Sequence, residues 1–140
     1  MQKQLEVTLE IIFHATEDES KIFGPIFDLF QIEENEFTQE KITGYYGNPI
    51  TLAKTVLTKE KAEDFLRELV SRITKPQIDE LLENIDMYFD DSSLFLRIGK
   101  NDLVRNIISL QQNNAIKIRV KVPIYKKSEL VKTYTKLLKV

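Results

Sequence analysis

Apolar and polar side chains alternate over residues 4–15, and this alternation predicts a β-strand. One face of the strand is apolar and the other is mostly polar: Leu5, Val7, Leu9, Ile11 and Phe13 share the first, and Glu6, Thr8, Glu10, Ile12 and His14 share the second. Such a strand covers the protein core with one face and meets water with the other. Residues 16–19 have the Thr-x-x-Glu spacing of a capping box, which predicts a helix from there to about Phe30.

The rest of the chain contains five more segments with strand patterns and three with helical patterns. The predicted strands are residues 37–46, 50–58, 94–98, 107–110 and 116–122. The predicted helices are residues 59–73, a segment starting near Pro76, and residues 128–140. Gly and Asn in the turn at residues 46–49 make the first two of these strands a hairpin, so they pair antiparallel. The sequence therefore predicts a two-layer α+β fold, in which helices pack on one face of a mixed or mostly antiparallel sheet.

Length and composition predict one domain over residues 1–140, and its last predicted element is a basic amphipathic helix at residues 128–140. Of the 140 residues 42% are hydrophobic and 30% charged, which is enough apolar surface for a globular fold. The chain has no cysteine and one histidine, which excludes disulfides, thiol nucleophiles and poly-His metal sites within one chain. No apolar run is long enough for a signal peptide or a membrane span. We therefore expect a cytoplasmic protein with no cofactor, no bound metal and no membrane partner.

Charge is distributed unevenly along the chain. Residues 115–140 hold eight Lys or Arg side chains and one Glu, a net charge of +7. Residues 1–114 hold 12 basic and 21 acidic side chains, a net charge of −9, so the total of −2 hides the difference. A basic end on an acidic body indicates a polyanionic partner or an internal electrostatic seam.

The strand at residues 116–122 carries three cations on one face. Lys117, Arg119 and Lys121 alternate there with apolar residues, so they point to the side opposite the core. A row of cations suits a phosphate backbone, because each cation releases counterions and Arg binds phosphate through two parallel hydrogen bonds. Arg97 in the strand at residues 94–98 extends this row. The alternative interpretation is an ordinary solvated strand face.

Four sequence blocks together resemble an archaeal family of small proteins described as RNA-binding and as predicted exosome subunits. The blocks are HATEDE at 14–19, GYYGNPI at 44–50, LFLRIGK at 94–100 and IKIRVKV at 116–122. The resemblance covers roughly residues 4–122, in the family's order and spacing, and it implies that these residues form the core of the domain. It implies a fold like that of the ribosomal protein that binds five-S RNA, and it implies RNA binding with no known catalytic residues.

The predicted RNA-binding residues combine the basic strand with the other resembling blocks. They are Lys117, Arg119, Lys121, Arg97, His14, Tyr45, Tyr46, Asn48, Lys126 and Lys127. Tyr45 and Tyr46 at the hairpin tip either stack on bases or pin the turn. We expect Phe95 in the core under the C-terminal helix, with base stacking as the alternative. His14 is interpreted as a hydrogen-bonding or nucleic-acid contact rather than a general base, because no second catalytic group is tied to it by spacing.

The function predicted from these patterns is non-enzymatic RNA binding, in association with RNA processing or an exosome-like complex. The alternative is a protein interaction module that forms a homodimer or a complex through its sheet edge or its C-terminal helix. A metal-dependent phosphodiesterase is the third hypothesis, since acidic clusters such as Glu33, Glu34 and Glu36 offer oxygen ligands for Mg²⁺. These clusters form no recognisable nuclease motif, and no residue is predicted to be catalytic.

Overall fold

The computed structural model describes residues 5–44, 46–90, 93–122, 135 and 138. Its strands are β1 (Glu6–His14), β2 (Thr38–Thr43), β3 (Pro49–Thr58), β4 (Phe89–Asp90), β5 (Ser93–Gly99) and β6 (Ala115–Lys121). Its α-helices are α1 (Ser20–Phe30), α2 (Lys59–Arg72), α3 (Lys75–Glu83) and α4 (Lys100–Leu103). Two short 3₁₀ helices, Glu34–Glu36 and Ile85–Tyr88, precede β2 and β4. No helix in these described ranges is long and apolar enough to cross a membrane.

The six strands form one sheet in the order β2-β3-β1-β6-β5-β4, and every neighbouring pair is antiparallel. The predicted α+β class with a mostly antiparallel sheet is confirmed. Both β1 and β6 lie in the middle of the sheet, although they come from opposite ends of the described chain. The division into one domain with a core at residues 4–122 stays a prediction.

The core lies between one face of the sheet and the helices. Val7, Leu9 and Ile11 of β1 are fully buried, as the alternation predicts. They belong to a single apolar cluster that also contains residues of α1 and α2, such as Ile26 and Leu69. One sheet face is thus covered by helices, which leaves the polar side chains of β1 on the opposite face. We call that opposite side the outer face.

The predicted capping box at residues 16–19 is wrong. The helix begins at Ser20, and its N-cap residue Glu19 makes no side-chain capping bond. Asp18 accepts hydrogen bonds instead, from the Ser20 backbone N–H at 3.1 Å and from its hydroxyl at 2.6 Å. These bonds, the hydroxyl bond first, lower the pKa of Asp18. The neighbouring Glu17 does not cap the helix either, because its carboxylate accepts hydrogen bonds from the backbone N–H of His14 and from Lys100.

The predicted strand at residues 107–110 is also wrong. Only Leu110 forms a β-bridge, to Ile98, and the rest of the segment is a loop. Asp102 organises this loop, because its carboxylate accepts hydrogen bonds from Ser109 at 2.6 Å and from Gln111 at 3.0 Å. Hydrogen bonds of the Asp102 side chain therefore organise this segment, which the apolar residues had predicted to be a β-strand.

The predicted helix at residues 128–140 lies mostly outside the described residues. Thr135 and Leu138 are described, and both are helical. Leu138 is 1% exposed and belongs to the core cluster.

Hydrogen bonds lower the pKa of Glu36 and of Asp102 below their ordinary values of 4.5 and 3.8. The largest cause is the Glu33 backbone N–H for Glu36 and the Ser109 hydroxyl for Asp102. A carboxyl group whose pKa is lower when folded stabilises the fold above its unfolded pKa, and this stabilisation is lost as the pH falls through the folded value. We therefore expect the free energy of unfolding to be flat from about pH 6 to 8 and to fall below about pH 4.5.

Urea denaturation between pH 3 and pH 8 measures this dependence. The variant Asp102→Asn lacks one of the titrating groups, so its decline in acid should be shallower than that of the wild type. An unfolding free energy that stays constant down to pH 3 would contradict the prediction.

Candidate nucleic-acid interface

The pairing of β5 with β6 brings four predicted cations to one place. Arg97 lies directly opposite Lys117, and Arg119 lies opposite Phe95. Lys121 follows at the end of β6, opposite Ser93. Residues opposite each other in an antiparallel pair share a face, so all four cations lie on the outer face. We call this set, Arg97, Lys117, Arg119 and Lys121, the basic face.

Ser93 and Phe95 contact the cations of the basic face and orient their side chains. The Arg119 Nε–H donates a hydrogen bond to the Ser93 hydroxyl at 3.0 Å. The Lys117 Nζ atom lies 4.8 Å from the centre of the Phe95 ring, and the Arg119 guanidinium carbon lies 5.9 Å from it. Cations at these distances are attracted to an aromatic ring. Phe95 thus orients two of the four cations.

The expectation that Phe95 belongs to the core is wrong. Its neighbours Leu94 and Leu96 are each 1% exposed, whereas Phe95 is half-buried on the opposite side of β5. The alternation along β5 is responsible, because successive side chains of a strand point to opposite faces. Phe95 therefore belongs with the basic face.

Acidic residues of β1 border the basic face. Glu6 lies opposite Lys121, and Glu10 lies opposite Lys117. In the described part of the chain none of the four cations forms an ion pair with a carboxylate. Within the described residues their charge is therefore not neutralised by direct pairing. Glu6 and Glu10 carry negative charge on β1, so the electrostatics of the outer face favour an anionic strand along β5 and β6 over one along β1.

The cations of β6 form a line that suits an extended polymer. Outward side chains on a strand recur every second residue, so Lys117 and Lys121 are about 14 Å apart along β6, with Arg119 between them. Arg119 and Lys121 are exposed, and Lys117 is half-buried against Phe95. The spacing of this line of cations suits successive phosphates of one extended strand better than a single anion.

The remaining described candidates lie at another end of the sheet. His14 is exposed at the end of β1, opposite Ile50, and about 14 Å along the strand from Glu10. Tyr46 is 90% exposed in the hairpin turn. Asn48 closes that turn, since its backbone carbonyl accepts the Gly44 N–H at 2.6 Å. The structure therefore does not join these residues to the basic face.

Three predicted RNA-binding residues cannot be placed on this surface. Tyr45, Lys126 and Lys127 lie outside the described residues.

Comparison with known protein families shows which family the chain belongs to. A family model described as RNA binding matches residues 6–122, which includes every strand of the sheet. The chain belongs to this RNA-binding family. A search of curated protein sequences finds no significant match.

Solved structures of similar proteins share the fold. A DUF54 protein from Archaeglobus fulgidus is 26% identical, with a TM-score of 0.82 over 94% of this chain and 97% of that one. A DUF54 protein from Methanothermobacter thermautotrophicus is 24% identical, with a TM-score of 0.75 over 95% of this chain and 96% of that one. A third, from Sulfolobus solfataricus, is 22% identical, with a TM-score of 0.74 over 96% and 97%. The fold of this RNA-binding family member is therefore one that archaeal proteins share.

On β1 to β3 the outer face of this RNA-binding family member carries exposed apolar side chains. Ile12, Ile42 and Val56 are 47%, 40% and 49% exposed on β1, β2 and β3. The sequence pattern of β1 did not predict exposed apolar side chains on this face, because Ile12 is one apolar residue among four polar ones. The outer face thus divides into a basic half on β5 and β6 and a half on β1 to β3 in which exposed apolar side chains lie among polar ones such as Glu10 and Lys54.

Lys100 is a buried cation that the sequence patterns did not single out. The residue is 5% exposed, and its ammonium donates to the backbone carbonyl of Ile12 and to the Glu17 carboxylate at 3.2 Å. It also lies 5.2 Å from the centre of the Phe13 ring. Lys100 directly follows β5, so its hydrogen bond to the Ile12 carbonyl links the end of β5 to the end of β1. Its position after Gly99, at a strand end, is the only sequence signal of this role.

The acidic clusters in the described part of the chain do not form a metal site. No group of three or more His, Asp or Glu side chains is arranged to hold a metal ion within the described ranges.

Proposed function

We propose that the basic face binds the phosphate backbone of RNA and that the protein acts as a binding module without catalysis. The observation that carries this proposal is the set of four cations on β5 and β6 with no carboxylate partner in the described chain. Membership of an RNA-binding family supports RNA as the polyanion. The resemblance to predicted exosome subunits supports a role in RNA processing.

Contacts of this kind give affinity without much sequence preference. Phosphates are the same at every nucleotide, so cations that contact them fix position and orientation but do not distinguish bases. The acidic body and the border of Glu6 and Glu10 confine the strand to one half of the outer face. The proposed binding mode is therefore a single RNA strand running along β5 and β6.

An NMR titration with a short oligouridine maps the contact surface. Amide signals of β5 and β6 and the side-chain Nε–H signals of Arg97 and Arg119 are expected to shift most. The signals of α1 and α2, which lie on the other side of the sheet, serve as the internal control. Shifts confined to those helices would contradict the proposal.

A protein contact is the second candidate function. The exposed Ile12 and Ile42 form an apolar region of the outer face together with the half-buried Ile50 and Leu52 of β3, which lie between them. Exposed apolar patches mark interaction surfaces. This region is compatible with RNA on the basic half, since the two halves lie on different strands.

A further inference from the structure

A cavity of about 670 Å³ opens at the outer edge of the basic face. It lies between the 3₁₀ helix Ile85–Tyr88 and the outward side chains of β5 and β6. Three aromatic residues line it: Tyr88, Phe89 and Phe95. Ligand cavities typically measure about 300 to 1,000 Å³, so this one has room for a nucleotide.

Polar groups of three kinds share this cavity with the rings. Asn84 and Gln112 contribute amides, which both donate and accept hydrogen bonds, and Glu80 contributes a carboxylate. Arg97 and Lys117 line the cavity as well, and they are also members of the basic face. The cavity is therefore continuous with the surface proposed to hold phosphates.

We propose that this cavity receives one unpaired nucleobase of the RNA strand whose phosphates lie on the basic face. The inference rests on the proposed function. Aromatic walls suit the flat ring of a base, and the Asn84 and Gln112 amides match the donors and acceptors on its edge. The Glu80 carboxylate disfavours a phosphate inside the cavity, whereas it accepts hydrogen bonds from N–H groups of a base.

This site makes the protein selective for single-stranded RNA. In a duplex the bases are paired and stacked inside the helix, so none of them reaches the cavity. In a single strand the base turns away from the backbone while its phosphate stays on Arg97 or Lys117. Stacking of one base on aromatic side chains strengthens binding by about tenfold or more.

Binding of two fluorescent octamers to the wild-type protein tests the site. One is oligouridine, and the other has the same ribose-phosphate backbone with every base removed. We expect oligouridine to bind about tenfold more tightly at equal salt. The affinities of both should fall with salt at the same rate, because both present the same phosphates.

Matched variants locate the effect in the cavity. Phe95→Leu should reduce the tenfold preference to about twofold or less, whereas Phe27→Leu should keep it. Phe27 is the control because it is a partly exposed phenylalanine on α1, at 43% exposure. Equal, salt-dependent binding of both octamers by the wild type would overturn the base site and leave phosphate binding intact. Failure to bind either octamer would overturn the proposed function as well, so the two failures are distinguishable.

Discussion

Replacing Lys117, Arg119 and Lys121 together by Gln is expected to weaken the binding of single-stranded RNA by about a hundredfold at about 0.1 M salt. Each cation on a phosphate of a single strand releases about 0.7 of a counterion, which is worth about 1 kcal/mol at that salt concentration. Three lost contacts therefore cost about 3 kcal/mol, and every 1.4 kcal/mol is about tenfold in affinity. Fluorescence anisotropy with oligouridine measures the change.

The fold should survive this triple substitution. In the described chain these side chains form no ion pair with a carboxylate. The substitution removes the hydrogen bond from Arg119 to Ser93 and the cation–π contacts of Lys117 and Arg119 with the partly exposed Phe95. Substitutions of surface residues away from packed features usually change stability by less than about 0.5 kcal/mol. Thermal unfolding of the variant should therefore resemble that of the wild type.

A second triple variant with the same change in net charge is the matched control. Lys21, Lys41 and Lys59 are exposed on α1, β2 and α2, away from the basic face. Their replacement by Gln should weaken RNA binding only slightly. Equal losses in the two variants would show that net charge, rather than the basic face, is responsible for binding.

Replacing Lys100 by Met is expected to lower the free energy of unfolding by about 3 kcal/mol. The substitution keeps most of the apolar stem but removes the ammonium, so the Ile12 carbonyl loses this donor and, among the described residues, the Glu17 carboxylate keeps only its hydrogen bond from the His14 backbone N–H. Breaking a buried ion pair from one side costs about 3 to 5 kcal/mol. We expect the lower end because the Glu17 side chain is 26% exposed and water partly replaces the lost partner.

Lys61→Met is the matched control for this prediction. Lys61 also pairs with a carboxylate, that of Glu36 at 2.9 Å, but its side chain is 73% exposed. An exposed ion pair contributes at most about 1 kcal/mol, so this variant should be nearly as stable as the wild type. Guanidinium chloride denaturation of both variants separates the two cases. An unfolding free energy for Lys100→Met equal to that for Lys61→Met would show that the buried contacts of Lys100 do not stabilise the fold more than an exposed ion pair does.

The elements with long, regular patterns were predictable from the sequence. The alternation that begins in β1 identifies its buried residues, and the helical spacing of Ala62, Phe65 and Leu69 identifies the buried side of α2. Patterns of this length arise because the whole face of an element must be apolar to contact the core. Where short polar side chains compete for the backbone, as at residues 16–19 and 107–110, the same reasoning failed.

The site was only partly predictable, because a strand pattern does not say which strands are neighbours. Alternation places Lys117 and Arg97 on an outward side of their own strands, but only the β5–β6 register makes them direct neighbours. The same register places Phe95 opposite Arg119, where its ring also contacts Lys117. The pairing of β1 with β6 ends at Glu10, so His14 lies away from these cations. Lys100 is a further case, since its burial depends on Glu17 and Ile12, which are more than 80 residues away in sequence.

The most direct test of phosphate binding by the basic face is the salt dependence of RNA affinity. Plots of the logarithm of affinity against the logarithm of salt concentration are compared for the wild type and the Lys117, Arg119 and Lys121 triple variant. Each phosphate contact to a single strand contributes about 0.7 to the slope, so the slope of the variant should be shallower by about 2. Parallel plots for the two proteins would mean that these cations contact no phosphates, and they would contradict the proposal.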